Sequence, residues 1–357
     1  MTIEYKDSKR ISALSTDFLT PIQGFDGGQG HATAYTSGGG GGSSSVGANA
    51  VSGQAGNGGT GTQSDITGAS PTPYYSAGGG GGLWGTGSTA GSGGSSIGGN
   101  GSSANNAGGN ASGYGSGGGG AGVQSGAGNG VDQTGGNGSA GIVILRFTTS
   151  GNGYSQVGGT VDTSVSGQTI ISWTATSGTR TFSPTSAFDV RYLVIGGGGG
   201  GGASKAGNAG GGGAGAGGFR TATGHGVTAK TYNITVGALG AGGVAGTGNG
   251  SNGGDSSFDG IISIGGGGGS IGFSATNYGQ DGASGGGASP YATTNFGQAI
   301  QQIIPKPSNV QVGSRLEETD TRKIYYRDDI SFKELDGADA VNYRKDTWYE
   351  QLTGETP

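Results

Sequence analysis

Apolar residues in this chain gather into short runs, and nowhere do they recur with a sustained helical period. The run Ile142, Val143, Ile144, Leu145, interrupted by Arg146 and closed by Phe147, has the pattern of a buried strand. Residues 169–173, 179–182 and 190–195 follow as further strands. Over residues 228–236 the pattern alternates, with Tyr232, Ile234 and Val236 on one face and Asn233 and Thr235 on the other. Residues 261–264 form another apolar run, and 310–312, 321–327, 331–335 and 347–352 read as short strands, with Asp336 and Gly337 as a turn. The expected fold class is mainly β, built of antiparallel strands with almost no α-helix.

Glycine separates these strands. It supplies 93 of 357 residues, in uninterrupted runs at 38–42, 78–82, 117–120, 196–202, 210–213 and 265–269. Glycine has the most backbone freedom to lose and no side chain to bury, so a hydrophobic core does not explain such runs. They are either flexible linkers or extended helices of the polyproline-II type whose outward N–H and C=O groups pair laterally. Collagen, which uses the same helix, is excluded by the irregular glycine period and by only 8 prolines. Asp65 and Asp132 are the only charged residues from 27 to 141, whereas solvated linkers are commonly rich in charge. We therefore expect packed polyglycine-II helices combined with the β-strands.

Charge marks the divisions. From Lys306 onward there are eight basic and eleven acidic residues, against totals of 17 and 22. The expected organisation is an N-terminal arm or strand (1–26), a first glycine-rich region ending in the strand at 141–147 (27–150), β-strands with a second glycine-rich region (151–300) and a small polar β module (301–357). The net charge of −5 gives no reason to expect nucleic-acid binding. There is no cysteine, no visible Sec signal, and no apolar run long enough for a membrane helix.

Several segments together carry a resemblance: residues 191–196 leading into the long glycine run, 217–221, 231–237, Asn249 to Asn252 with Ser256 to Phe258, and Ile264. They resemble the glycine-rich domain of phage and other viral tail-fibre proteins, and residues 313–327 resemble a terminal module of viral and metagenomic fibre-like proteins. In that family strands open and close a polyglycine region, and some adhesins of the family carry packed polyglycine helices whose tip loops meet the host receptor. The order of strands departs from the family pattern. The closing strand, 142–147, precedes the opening strands at 169–195. Either the chain closes on itself, or Ile142, Val143, Ile144, Leu145 and Phe147 complete the sheet of a neighbouring subunit by strand exchange.

Candidate chemistry is sparse. His31 and His225 stand alone beside glycines, and matches to G-x-G-x-x-G are expected by chance at this glycine content. Asp255 and Asp259 read as turn residues in preference to Ca²⁺ ligands, because the nonapeptide repeat is missing. Glu317, Glu318 and Asp320 lie among Arg315, Arg322 and Lys323 as a salt-bridged surface. Asn-x-Ser/Thr sequons occur at Asn100, Asn110, Asn137, Asn233 and Asn249. Aromatics weigh more: Tyr74, Tyr75 and Trp84 bracket one glycine run, as packing plugs or as receptor-contact residues.

The expectation is a non-enzymatic fibre or appendage protein of a virion or tail, with no catalytic, cofactor or metal residues. Its partners would be copies of itself as trimer or filament, other virion proteins, and a cell-surface glycan or protein. A cell-surface filament subunit is the alternative, and an ice-binding polyglycine protein a remote one.

Overall fold

The computed structural model describes residues 23–85, 89–124, 130–206, 209–272, 278–290 and 296–300, together with three strands nearer the C-terminus. Residues 23–300 form one compact unit. Its strands are β1 (Thr62–Gln63), β2 (Tyr74–Tyr75), β3 (Ile142–Thr148), β4 (Tyr154–Val157), β5 (Thr160–Asp162), β6 (Gln168–Trp173), β7 (Thr181–Pro184), β8 (Phe188–Ile195), β9 (Phe219–Val227), β10 (Tyr232–Thr235), β11 (Ser256–Phe258) and β12 (Ile261–Ser263). The strands of the second unit, β13 (Arg315–Glu317), β14 (Ile324–Arg327) and β15 (Phe332–Leu335), form an antiparallel meander. Residues 1–22, 310–312 and 347–352, read above as an arm and strands, lie outside the described residues.

Two five-stranded antiparallel sheets face each other, ordered β5-β6-β3-β8-β9 and β12-β11-β10-β7-β4. Period-2 alternation explains their core. Val143, Leu145 and Phe147 of β3 join Trp173, Tyr192 and Val194 on the first sheet against Phe182, Tyr232, Ile234 and Phe258 on the second. The opposite side chains, Ile142 and Ile144, are equally buried, under Ile66 and Tyr75. A strand covered on both faces needs a continuous apolar run, which β3 has. It pairs with β6 (Leu145 opposite Ile171) and with β8 (Val143 opposite Val194) of its own chain, so both its edges are occupied without a neighbour. Self-closure is thus the arrangement seen.

β9 carries few apolar side chains and is held mainly by its ladder to β8, with a bulge between Val190 and Tyr192 where Gly224 takes φ +70°.

The glycine runs are buried and hydrogen-bonded laterally. Within the run at 78–82, Gly78 and Gly81 donate to Gly59 and Gly56, Gly79 and Gly82 donate to Ala214 and Gly211, and Gly80 donates to Gly99, all at 2.8–2.9 Å. Gly197, Gly200 and Ala203 donate to Gly254, Ser251 and Gly248, and Gly198, Gly201 and Ser204 to Ser139, Gly136 and Gln133. Every third residue of a run therefore returns to the same neighbour. The two glycine-rich regions interleave in this array: Gly38 donates to Ala288, Gly79 to Ala214 and Gly118 to Gly199.

At the rim, Asn and Asp supply acceptors that the backbone does not. The Oδ1 of Asn57 accepts from the Ser92 N–H at 2.8 Å while the Gly58 N–H donates to the Ser92 carbonyl at 2.9 Å. The same two-pronged clasp joins Asn49 and Ala50 to Gln29, Asn110 and Ala111 to Asn137, and Asp281 and Gly282 to Gln298. In a second form the prongs fall two residues apart, as where Asn137 grips Gly242 and Gly138 grips Gly240. Asn100, Asn249, Asn252 and Asp26 do likewise. Asn137→Ala is expected to cost about 1 kcal/mol, the net value of one such bond, and Asn137→Asp to recover most of it because the acceptor is kept. Chemical denaturation of the three proteins checks the order.

Candidate surface sites at the two ends of the array

The runs meet the sheets at one end. Gly141 leads into β3, β8 leads into Gly196, Gly218 leads into β9, and β2 precedes Ala77. At that end Gly117 donates to Ala77, Gly141 to Gly237 and Gly217 to Gly115. The opposite, distal end is made of loops whose backbones are tied together. His31 bridges Thr36, Thr36 bridges Leu83, and Trp84 bridges Val123.

This polarity separates the aromatic residues that flank the run at 78–82. Tyr74 and Tyr75 lie at the sheet end, pairing with Gln63 and Thr62, whereas Trp84 lies at the distal end, nine residues of extended chain away, on the order of 30 Å. Tyr74 is 43% exposed and Tyr75 only 4%. Tyr75 packs with Ile66, Ile142 and Leu193, and burial pushes its phenol above the ordinary tyrosine range. It is a core residue and presents no contact surface.

Trp84 instead meets Tyr35, edge on, with ring centroids 5.0 Å apart. The tight turn at residues 31–36 places Tyr35: the His31 Nδ1 accepts from the Ala34 N–H at 3.2 Å, and Tyr35 takes φ +51°. The Trp84 N–H of the main chain donates to the Tyr35 carbonyl at 3.2 Å. Both rings are half-buried, while the indole Nε1 of Trp84 is buried without a hydrogen-bond partner among the described residues. His31 thus has a turn-forming role. Along the flank, a groove is lined by Asp26, Gln29, Val46, Asn49 and Phe296; its Asp26 and Asn49 Oδ1 atoms are already engaged in clasps.

Three ionisable side chains meet beside the sheets. The His225 Nε2 lies 3.0 Å from the Asp259 Oδ2, and the Lys230 Nζ lies 3.3 Å from its Oδ1. Asp259 stands in the turn from β11 to β12 with φ +45°. Asp255 accepts the Gly265 N–H at 2.8 Å. Both aspartates therefore serve turns and junctions, as their sequence context suggests. Among the described residues no group of three or more His, Asp or Glu side chains is placed to hold a metal ion, and no helix is long and apolar enough to cross a membrane. The side chains of Glu317, Glu318 and Asp320 lie outside the described residues.

Sequon asparagines Asn100, Asn110, Asn137 and Asn249 are clasp residues, a role their sequon context does not reveal.

Asp65 stands beside two arginines of the first sheet. It pairs with Arg191, while the Arg146 Nη1 donates to the carbonyls of Asp65 (3.3 Å) and Ile66 (3.4 Å), fastening the fully buried Ile66 over β3. The hydrogen bond from Arg191, and then its charge, hold the Asp65 carboxyl below the usual range. A depressed carboxylate stabilises the folded state above the unfolded value near 3.9 and loses that contribution as pH falls through the folded value. Because Asp65 is exposed, the contribution stays below about 1 kcal/mol. Amide exchange at Ile66 and Gly68 is therefore expected to accelerate from pH 5 to pH 3 relative to amides of β3, and Asp65→Asn to remove that pH dependence.

A family model described as a glycine-rich domain matches residues 174–318. No curated protein and no solved structure matches the chain.

Proposed function

We propose that this chain is a non-enzymatic structural protein forming the rigid body of a virion or tail fibre, or of a comparable extracellular appendage, and that its distal loops meet a host surface. The observation that carries this reading is the buried glycine array in which every third backbone N–H returns to the same neighbour. That is the periodicity of polyproline-II-type helices, with three residues per turn and outward-pointing backbone groups. Gly93, with φ −65° and ψ 143°, has the corresponding backbone angles. We accordingly read the runs as polyglycine-II helices packed side by side. Such a body has almost no side-chain chemistry inside it. What it offers is stiffness and a fixed platform for loops, which suits attachment better than turnover. The resemblance of these segments to tail-fibre proteins favours the same reading, and the family model over 174–318 bears on its glycine-rich character alone.

In this reading the contact surface is the distal pair Tyr35 and Trp84, since the accessible parts of half-buried aromatic rings provide contact area at low entropic cost. Copies of the chain would assemble as a trimer or filament. Electron microscopy of the purified chain tests the assembly: rods or filaments are expected, and compact monomers at all concentrations would overturn it. Binding to an array of surface glycans and to host-cell surfaces tests the contact. Trp84→Ser with Tyr35→Ser is expected to abolish binding with assembly intact, whereas loss of assembly would assign the pair to packing.

A further inference from the structure

The chain contains Asn–Gly pairs at 57–58, 100–101, 137–138, 152–153, 249–250 and 252–253 within its described residues. This dipeptide is the one most prone to spontaneous succinimide formation, because glycine places no Cβ in the path of ring closure. The backbone nitrogen of the glycine attacks the Asn Cγ; the N–Cγ bond forms, the Cγ–Nδ2 bond breaks and ammonia leaves. Water then opens the ring at either carbonyl, leaving aspartate or isoaspartate. The reaction needs a free glycine nitrogen and a side chain able to swing toward it.

The clasps deny both requirements at five of the pairs. Gly58, Gly101, Gly138, Gly250 and Gly253 each donate their N–H to a carbonyl of a neighbouring run at 2.8–2.9 Å. In each case the preceding Asn has its Oδ1 fixed by another backbone N–H at 2.8–2.9 Å. Asn152 differs. It lies in the connection from β3 to β4, after Gly151 at φ +81°, and Gly153 is exposed. The Gly153 N–H has no hydrogen-bond partner among the described residues. The Asn152 carboxamide is held by a single solvent-exposed bond, from its Nδ2 to the Thr148 carbonyl at 2.9 Å, and among the described residues no backbone N–H fixes its Oδ1.

We propose that Asn152 is a site of spontaneous deamidation in the folded protein and that the glycine array shields its own Asn–Gly pairs from the same reaction. Isoaspartate at 152 would reroute the main chain through the side-chain carbon and lengthen the connection between β3 and β4 by one methylene.

The test is peptide mapping by mass spectrometry of the full chain held at pH 8 and 37 °C, with electron-transfer fragmentation to distinguish isoaspartate from aspartate. Asn152 is expected to convert to a mixture of the two, while Asn57, Asn100, Asn137, Asn249 and Asn252 react at least about tenfold more slowly because their reaction waits on local opening. In denaturing urea the six rates should converge. Gly153→Ala should slow conversion at 152 in the folded chain, with circular dichroism unchanged. Conversion of any array asparagine as fast as Asn152 in the folded chain, or a rate at 152 no faster than theirs, overturns the proposal.

Discussion

Gly80→Val and Gly199→Val should each abolish the folded array, or destabilise the chain by several kcal/mol, on the order of the whole folding free energy of a domain. A Cβ at Gly80 would overlap the carbonyl of Gly91 and the backbone of Ser92, and one at Gly199 the carbonyls of Gly267 and Gly266. The obstacles are backbone atoms, which cannot rotate aside as a side chain does. The runs must part, and Gly80 then loses its bonds to Gly99 and from Gly120 in a buried setting. Each buried polar group left without a partner costs about 1–3 kcal/mol, and the overpacking itself about 1–3 kcal/mol. The array is not closed to methyl groups everywhere: Ala121, Ala203 and Ala214 are fully buried in it. Gly226, at the edge of the first sheet, supplies the control. Its added Cβ would touch only the Asp189 Oδ1 at 3.7 Å, so Gly226→Ala should stay within about 0.5 kcal/mol of the parent, the usual range for surface substitutions. Urea titration followed by amide exchange across 78–82 and 196–202 separates these outcomes. Random-coil amide signals from the runs of the parent protein would sink the expectation outright.

The second large effect belongs to Trp173→Ala, expected to cost about 3–5 kcal/mol. Trp173 is fully buried between the two sheets; its Nε1 donates to the Val157 carbonyl at 2.9 Å, and its ring meets Phe182 edge on. Removing it leaves a cavity and also takes the indole donor from the Val157 carbonyl. Because β3 emerges from Gly141 and β8 runs into Gly196, loss of the sheets should release the array with them. Thermal unfolding followed at once by tryptophan fluorescence and by far-ultraviolet circular dichroism should show a single, lowered transition in both probes. Two separated transitions would mean that the array stands without the sheets.

How far the fold could be read in advance depended on where apolar side chains did the packing. β3, β6, β8 and β10 were legible because their buried faces are lined with Ile, Val, Leu and Tyr. β9 was not, since Phe219 is followed by Arg, Thr, Ala, Thr, Gly, His and Gly, and a strand held mainly through its backbone ladder leaves no side-chain period. β4 and β5, also largely exposed, were missed for the same reason. The glycine runs announced unusual order through their lack of charge, but which run would lie beside which was invisible, because identical residues carry no partner information. The surface sites were less legible still. Tyr74, Tyr75 and Trp84 are close in sequence, yet an extended run puts them at opposite ends, and Tyr35, the actual neighbour of Trp84, is joined to it only by the fold. The Asn clasps did have a signal, Asn or Asp followed by Gly or Ala at the border of a glycine block, which a sequon pattern obscures.

Those clasps settle a degeneracy that the glycine array would otherwise keep. Slide one run past its neighbours by three residues, the repeat of its lateral bonds, and nearly every backbone bond can form again with a new partner, because nearly every position is the same glycine. Bonding energy alone would then admit many alignments, as in a ruler without numerals. An Asn at position 137 or 252 supplies the numeral. After a slide of three residues its carboxamide would face the wrong amide, and the amide it has left would lose its acceptor at the rim. Alignment of the body is thus written in the nine Asn and Asp clasp side chains at its margin, and a variant lacking several of them should remain compact while its runs sample shifted alignments.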